Sequence, residues 1–173
     1  MSVPELTLPA DEAEIEALLD LSFGPDRREK VSYRLRDGVP PVAALCFVLR
    51  EAGLLRASIC FTEVRIMPGN GGAPVTALLL GPLAVDPHLR GQGLGARLMV
   101  RGLEEAASLG YKRVILVGDL PYYRKFGFTA AEPGRFIFPG TVDESRILIR
   151  DLEPGAFKGI SGTLERALPA TAQ

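Results

Sequence analysis

The chain has 173 residues, 47% of them hydrophobic and 24% charged, with a formal net charge of −1. That length holds one domain with a sizeable core rather than two, and the balance is that of an ordinary globular protein, neither disordered nor membrane-embedded. Without a basic excess nucleic acid is not an expected partner, and the longest apolar run, Val42 to Leu49, falls far short of the ~18 residues a membrane span needs.

Met-Ser-Val-Pro-Glu-Leu at the N-terminus has no basic segment followed by an apolar one, so no signal peptide is read there and a cytoplasmic location is expected. Glu5 to Leu8 predicts a short strand. Asp11 then opens a helix, with Glu14 three residues on as in a capping box, and Ile15, Leu18, Leu19 and Phe23 follow at helical spacing until Gly24-Pro25. Arg27 to Leu35 reads as a second, polar helix stopped by Asp37-Gly38 and Pro40-Pro41. Val42 to Arg50 is continuous enough for a strand buried on both faces, and Leu54 to Ile66 returns from it as a hairpin around Glu51-Ala52-Gly53. Cys46 and Cys60 lie in these two runs. They show no metal-ligand spacing and are read as buried thiols in a reducing compartment.

After the loop Pro68 to Gly72, Val75 to Val85 predicts another strand, Leu94 to Leu109 an amphipathic helix ended by Gly110, and Arg113 to Val117 a further strand. Pro121 to Lys125 predicts one or two helical turns, and Phe126 to Thr129 and Ser145 to Leu152 the last strands. The order is an α+β mixture with a single crossover unit. One domain over 1–168 is expected, followed by a frayed tail over 169–173.

The informative stretch is Leu83-Ala84-Val85-Asp86-Pro87-His88-Leu89-Arg90-Gly91-Gln92-Gly93-Leu94-Gly95-Ala96, a strand running through a glycine-rich turn into a helix. The first N–H groups of such a helix lack intrahelical partners and carry the positive end of the dipole. Glycines on alternate residues remove the Cβ atoms that would hold a diphosphate away, so the backbone forms an anion cradle. Gly91-x-Gly93-x-x-Ala96 also fits the dinucleotide fingerprint, with Asp119 after the next strand as a ribose acid. Against that reading, five residues separate strand from loop, a meander precedes the strand, and no further βα units follow. The Gly-Lys-Ser/Thr of a Walker A loop is absent from Gly95-Ala96-Arg97.

Arg90-Gly91-Gln92-Gly93-Leu94-Gly95 matches Q/R-x-x-G-x-G/A. Leu83 to Pro87 before it, and Tyr123-Arg124-Lys125-Phe126-Gly127-Phe128 after it, complete a resemblance to the GNAT superfamily of N-acetyltransferases. Within that superfamily the Gly-Asp-x-x-Tyr-Tyr-x-x-Phe-Gly-Phe segment resembles a little-characterised bacterial subgroup. The resemblance implies a central twisted mixed sheet of about seven strands with helices on both faces. Two parallel strands, Ala77 to Val85 and Arg113 to Val117, are expected to splay around the pantetheine arm of acetyl-CoA. Gly81-Pro82 agrees chemically, because proline has no N–H for a ladder and the strand must bulge or stop pairing there. Leu83, Ala84 and Val85 are then free to bond the cosubstrate, together with Arg90 through Ala96, Asp119, Tyr122, Tyr123 and Phe126.

By the same resemblance the reaction is direct attack of an amine on the thioester. The Val85 N–H is the candidate for the developing oxyanion, and Tyr123 is the acid for the departing thiolate, with Tyr122 as a substitute. Asp119 replaces the asparagine contact of the family. Glu63, Asp86, Asp119, His88 (the only histidine, a residue type suited to the task) or a water chain are candidates for the base. Arg97, Arg124 and Lys125 are read as solvated rather than phosphate-binding. The acceptor, a small-molecule or protein amine, is expected to meet the stretch Asp26 to Arg36. No metal is expected, and monomer and homodimer are both left open. A CoA-binding sensor without chemistry is the alternative function, and an NAD-dependent oxidoreductase the third.

Overall fold

A computed structural model describes residues 2–169, so the expected tail lies outside the described residues from 170 onward. In chain order the elements are β1 (Glu5–Leu6), α1 (Glu12–Phe23), α2 (Val31–Arg36), β2 (Phe47–Glu51), β3 (Leu54–Met67), β4 (Val75–Val85), α3 (Leu94–Ser108), β5 (Arg113–Val117), α4 (Leu120–Tyr123), β6 (Thr129–Ala130), β7 (Phe136–Ile137), β8 (Ile147–Asp151) and β9 (Gly162–Arg166). They form a mixed sheet in the order β1-β2-β3-β4-β5-β8-β6, with β9 on the second half of β3 and β7 on β9. This is the α+β architecture expected, with nine strands rather than about seven. The two extra strands, β7 and β9, are short and pair only with distant segments.

Alternation along the strands explains why helices cover both faces. Phe47, Leu49, Leu78, Leu80, Val114 and Leu116 face Leu94, Leu98, Met99 and Leu103 of α3. Val48, Leu55 and Ala84 meet Leu18 and Leu19 of α1 on the opposite face, where Ala77, Leu79 and Ile115 meet Leu35 of α2. Helix α3 approaches the sheet closely through Gly102. A Cβ there would lie 2.6 Å from Cε1 of the fully buried Phe61. Gly102→Val is therefore expected to overpack this contact by about 1–3 kcal/mol. In a domain of this size that lowers the melting temperature by roughly 3–10 °C, read by calorimetry.

β4 and β5 have the expected bounds and α1, β3 and α3 come within a residue of theirs, whereas several other elements differ for non-local reasons. β1 stops at Leu6 rather than Leu8. Asp11 and Glu14 do not form a capping box. The Asp11 carboxylate accepts the Leu8 N–H, and both acids pair with Arg50 of β2. The second helix is broken into a 3-10 turn over Arg27–Glu29 and the short α2, because Arg27 turns inward to Glu16 and Asp20 of α1. The strand expected from Val42 opens instead with a 3-10 turn over Ala43–Leu45, and only Phe47–Glu51 is extended. Arg124–Phe126 is likewise a 3-10 turn ending at Gly127 (φ 86°), which confines β6 to Thr129–Ala130. β8 begins only at Ile147, after a 3-10 turn over Glu144–Arg146.

The reading of Cys46 and Cys60 as free thiols is corrected too. The β2–β3 register pairs Phe47 with Ile59, which brings Cys46 and Cys60 opposite each other with Cα atoms 4.3 Å apart, and they form a disulfide. The two cysteines thus give no support for a reducing compartment. Among the described residues no helix is long and apolar enough to cross a membrane.

Candidate active site

The sheet opens between β4 and β5. The two strands pair in parallel only at Leu78–Val114 and Leu79–Ile115. Beyond that point β4 stays with β3 as far as Val85, and β5 stays with β8 as far as Val117. The cause lies in β4. Between its pairings of Leu80 with Phe61 and Leu83 with Ile59, β4 takes three residue steps while β3 takes two. Gly81 (φ 125°) and Pro82, joined by a cis peptide, form the bulge. A bulge bends its strand, and proline offers no N–H to hold β5.

Past the bulge the backbone polar groups are directed into the opening. Asp86 N–H donates to Arg56 C=O at 2.7 Å, so in an antiparallel ladder the alternate residues Val85 and Leu83 turn their amides away from β3. The Ser22 hydroxyl of α1 donates to the Val85 carbonyl at 3.3 Å, which fixes the end of α1 beside the same opening.

The strand leads straight to the glycine loop. Asp86 is buried and accepts the His88 N–H at 2.9 Å and Arg56 Nη1 at 2.6 Å. The His88 amide first, and then Arg56, hold its carboxyl below the ordinary aspartate range against the opposing effect of burial. The three glycines serve two purposes. Gly91 and Gly93 both have φ 82°, a left-handed conformation that a side chain resists, and Gly93 is the residue from which α3 starts. Gly95 has ordinary helical geometry, but a Cβ on it would lie 2.7 Å from the Tyr122 hydroxyl. The first N–H groups of α3 thereby face the cleft at the positive end of a 15-residue helix.

The opposite wall comes from the segment after β5. A Cβ on Gly118 would lie 2.5 Å from Cε2 of Tyr123, so glycine there lets the ring lie against the end of β5. Tyr123 stacks edge-on with Tyr122 and Phe128 at centroid distances of 4.9 and 5.9 Å. Burial pushes its phenol up to about 12, Tyr122 and Asp119 add to the shift, and Arg146 opposes it.

These pieces enclose a cleft of about 820 Å³, floored by Leu80–Val85, closed at one end by the glycine loop and on its sides by α1, α2 and the tyrosine segment. Of the residues singled out in sequence, Leu83, Ala84, Val85, Arg90, Gly91, Gly93, Leu94, Gly95, Ala96, Asp119, Tyr122 and Tyr123 line it. Gln92 points to solvent, and Phe126 turns into the α3 core beside Tyr122, so neither lines the cleft. Lys125, read as solvated, does line it, with its ammonium 4.6 Å from the centroid of the Tyr122 ring. Of the candidate bases only Asp119 faces the cleft. Glu63 is taken up by the Tyr111 hydroxyl, Asp86 by Arg56, and His88 is exposed outside the lining.

Sequence reasoning placed the acceptor stretch at Asp26 to Arg36 but did not separate its members. Lys30, Ser32, Tyr33 and Arg36 are the ones that line the cleft. It missed Ser22, Phe23 and Arg146 as cleft residues. No local pattern marks them, because they reach the cleft only through packing of α1 and the β8 entry. Among the described residues no group of three or more His, Cys, Asp or Glu is placed to hold a metal ion.

Residues 43–130 match the family described as "Acetyltransferase (GNAT) domain", just over half of the chain. The chain is 32% identical over 161 residues to the uncharacterized N-acetyltransferase YhbS of Escherichia coli K12, covering 91% of this chain and 92% of YhbS. Its structure is similar to that of E. coli YhbS solved in complex with CoA, with a TM-score of 0.78 at 31% identity over 95% of this chain and 89% of the other. A GNAT family acetyltransferase from Brucella melitensis, solved with acetyl-CoA, superimposes with a TM-score of 0.61 at 30% identity, covering 75% of this chain and 84% of that one.

Proposed function

Because this chain belongs to the GNAT acetyltransferase family, we propose that it transfers the acetyl group of acetyl-CoA directly to a primary amine within one ternary complex. The observation that carries this reading is the parting of β4 from β5 in line with the exposed N-terminus of α3. A strand gap with inward-facing amides suits an amide-bearing arm, and the glycine loop at its end suits the phosphates attached to that arm. We take residues 1–168 as the single domain that does this, and place it in the bacterial subgroup marked by Gly118-Asp119 through Phe128.

Bound acetyl-CoA supplies an activated carbonyl and a thiolate leaving group. The chain supplies the rest. The N–H groups of Leu94, Gly95 and Ala96, with Arg90 and Lys125 nearby, hold the phosphates. Val85, the sequence candidate for the oxyanion, lies beside Gly95, so that the Val85 Cγ2 atom would meet a Cβ there at 3.4 Å. It therefore serves the arm near the phosphates. Leu83, two residues back along β4 and about 6.6 Å further from the loop, is the first amide after the bulge and faces the oxygen that becomes negative as the amine attacks. Tyr123, protonated throughout the neutral range, donates to the departing sulfur. Asp119 receives the amine proton, directly or through water.

The test is thiol release from acetyl-CoA against a panel of amines, with CoA binding measured separately by calorimetry. Amine-dependent thiol release is the expected result. Tight CoA binding with no release against any amine would assign the chain to CoA sensing instead.

A further inference from the structure

Arg36, in the last turn of α2, is a half-buried cation on the cleft wall that no acid of the described residues neutralises. Its Nε is sealed from solvent and makes no hydrogen bond, and none of its nitrogens lies in an ion pair among the described residues. The other inward-turned arginines differ. Arg27 meets Glu16 and Asp20, and Arg56 meets Asp86. A buried charge without a partner is costly and persists where something outside the protein supplies the partner. Arg36 has only the Tyr33 ring, 5.0 Å from its guanidinium carbon, and burial brings the group down to about 10.

Its position defines what it can meet. A Cβ on Gly81 would lie 2.9 Å from Arg36 Nη2, so the guanidinium rests on the bulge of β4. From Gly81 to Val85, which adjoins Gly95, the strand spans about 13 Å. Arg36 is therefore at the far end of the cleft from the glycine loop, the end that the acetyltransferase reading leaves for the acceptor. Lys30 and Arg146 line the same cleft. Burial, then Arg146 and Arg36, hold the Lys30 ammonium below the usual lysine range. The one acid lining the cleft, Asp119, is engaged by Arg146 at 3.4 Å.

We infer that the acceptor is a small amine that also carries an oxyanion, a carboxylate or a phosphate, and that the guanidinium of Arg36 binds this group with Lys30 and Arg146 in support. The inference rests on the acetyltransferase reading above. A planar guanidinium fork fits either oxyanion with paired hydrogen bonds. Polyamines and lysine side chains would instead bring more positive charge to an uncompensated positive site.

Two measurements test it. In the first, CoA-loaded protein is titrated with succinate and with inorganic phosphate by calorimetry, as wild type, Arg36→Gln and Arg36→Lys. Binding to the wild type, weakened about 10- to 100-fold in Arg36→Gln and partly restored in Arg36→Lys, is expected. CoA affinity should not change, and the melting temperature of Arg36→Gln should equal or exceed the wild-type value because an unpaired buried charge has gone. Equal anion binding in wild type and Arg36→Gln, or a parallel loss of CoA affinity, would overturn the inference.

In the second, kcat/KM is compared for matched pairs: an amino acid with its amide, and an aminoalkyl phosphate with its amino alcohol. The charged member is expected to win by at least about 10-fold, and whichever pair shows the larger gap identifies carboxylate or phosphate as the group. Preference for the uncharged or cationic amine defeats the inference while leaving acetyl transfer intact. If no amine is acetylated, the acetyl-transfer reading fails by itself and the calorimetric comparison alone decides the anion site.

Discussion

Tyr123→Phe is expected to lower kcat by about 10²- to 10⁴-fold while leaving the affinity for acetyl-CoA close to that of the wild type. The phenol lies in the cleft, fixed by Gly118 beneath it and by edge-on contacts with Tyr122 and Phe128, and all of these contacts survive loss of the oxygen. What is lost is the proton for the sulfur. The pH profile gives a second readout. Burial raises this phenol to about 12, so it keeps its proton well above the ordinary tyrosine value. The rate should therefore rise with pH as the amine becomes unprotonated and show no alkaline decline from Tyr123 below that value. Steady-state kcat across pH, with CoA affinity by calorimetry, checks both statements. A loss of less than threefold would remove Tyr123 from the chemistry and leave its neighbour Tyr122 as the next candidate acid.

Gly93→Val should abolish useful cosubstrate binding, raising the dissociation constant for CoA by at least about 100-fold. Gly93 has φ 82°, and nothing lies within 4 Å of where its Cβ would be, so the obstacle is the backbone and not a clash. A β-branched residue held left-handed costs ~1–2 kcal/mol or relaxes the turn, and relaxing it rotates the first amides of α3 out of the cleft. Gly95→Val acts differently. Its side chain would displace the Tyr122 hydroxyl, 2.7 Å from the Cβ position, and so disturb the tyrosine wall as well. A thermal shift on adding CoA, present in the wild type and lost in Gly93→Val with folding retained, is the check. An undiminished shift would mean that the phosphates bind elsewhere.

The two variants fall where the sequence was most legible. Gly91, Gly93 and Gly95 announce a turn at a helix start, and β4, α3 and β5 emerge within a residue of their expected bounds, because each is decided by neighbours along the chain. The bulge at Gly81-Pro82 was legible for the same reason, since a missing N–H is a property of the residue itself. Tyr122, Tyr123 and Asp119 line the cleft. Gln92, which the family resemblance implied at the cosubstrate, is exposed, and Phe126, implied there too, is half-buried against the α3 core.

From its order of residues alone, then, this chain declares an α+β fold, the bulge at Gly81-Pro82 and the amide-lined loop, all of them consequences of backbone freedom and hydrophobic period over a few residues. Tertiary structure alone decided the rest. The facing of Cys46 and Cys60, the pairing of β9 with β3, the capture of Glu14 by Arg50 and the isolation of Arg36 at the bulge each depend on segments far apart in sequence. Whether a charge is paired is settled by what the fold brings beside it, and no local pattern carries that information.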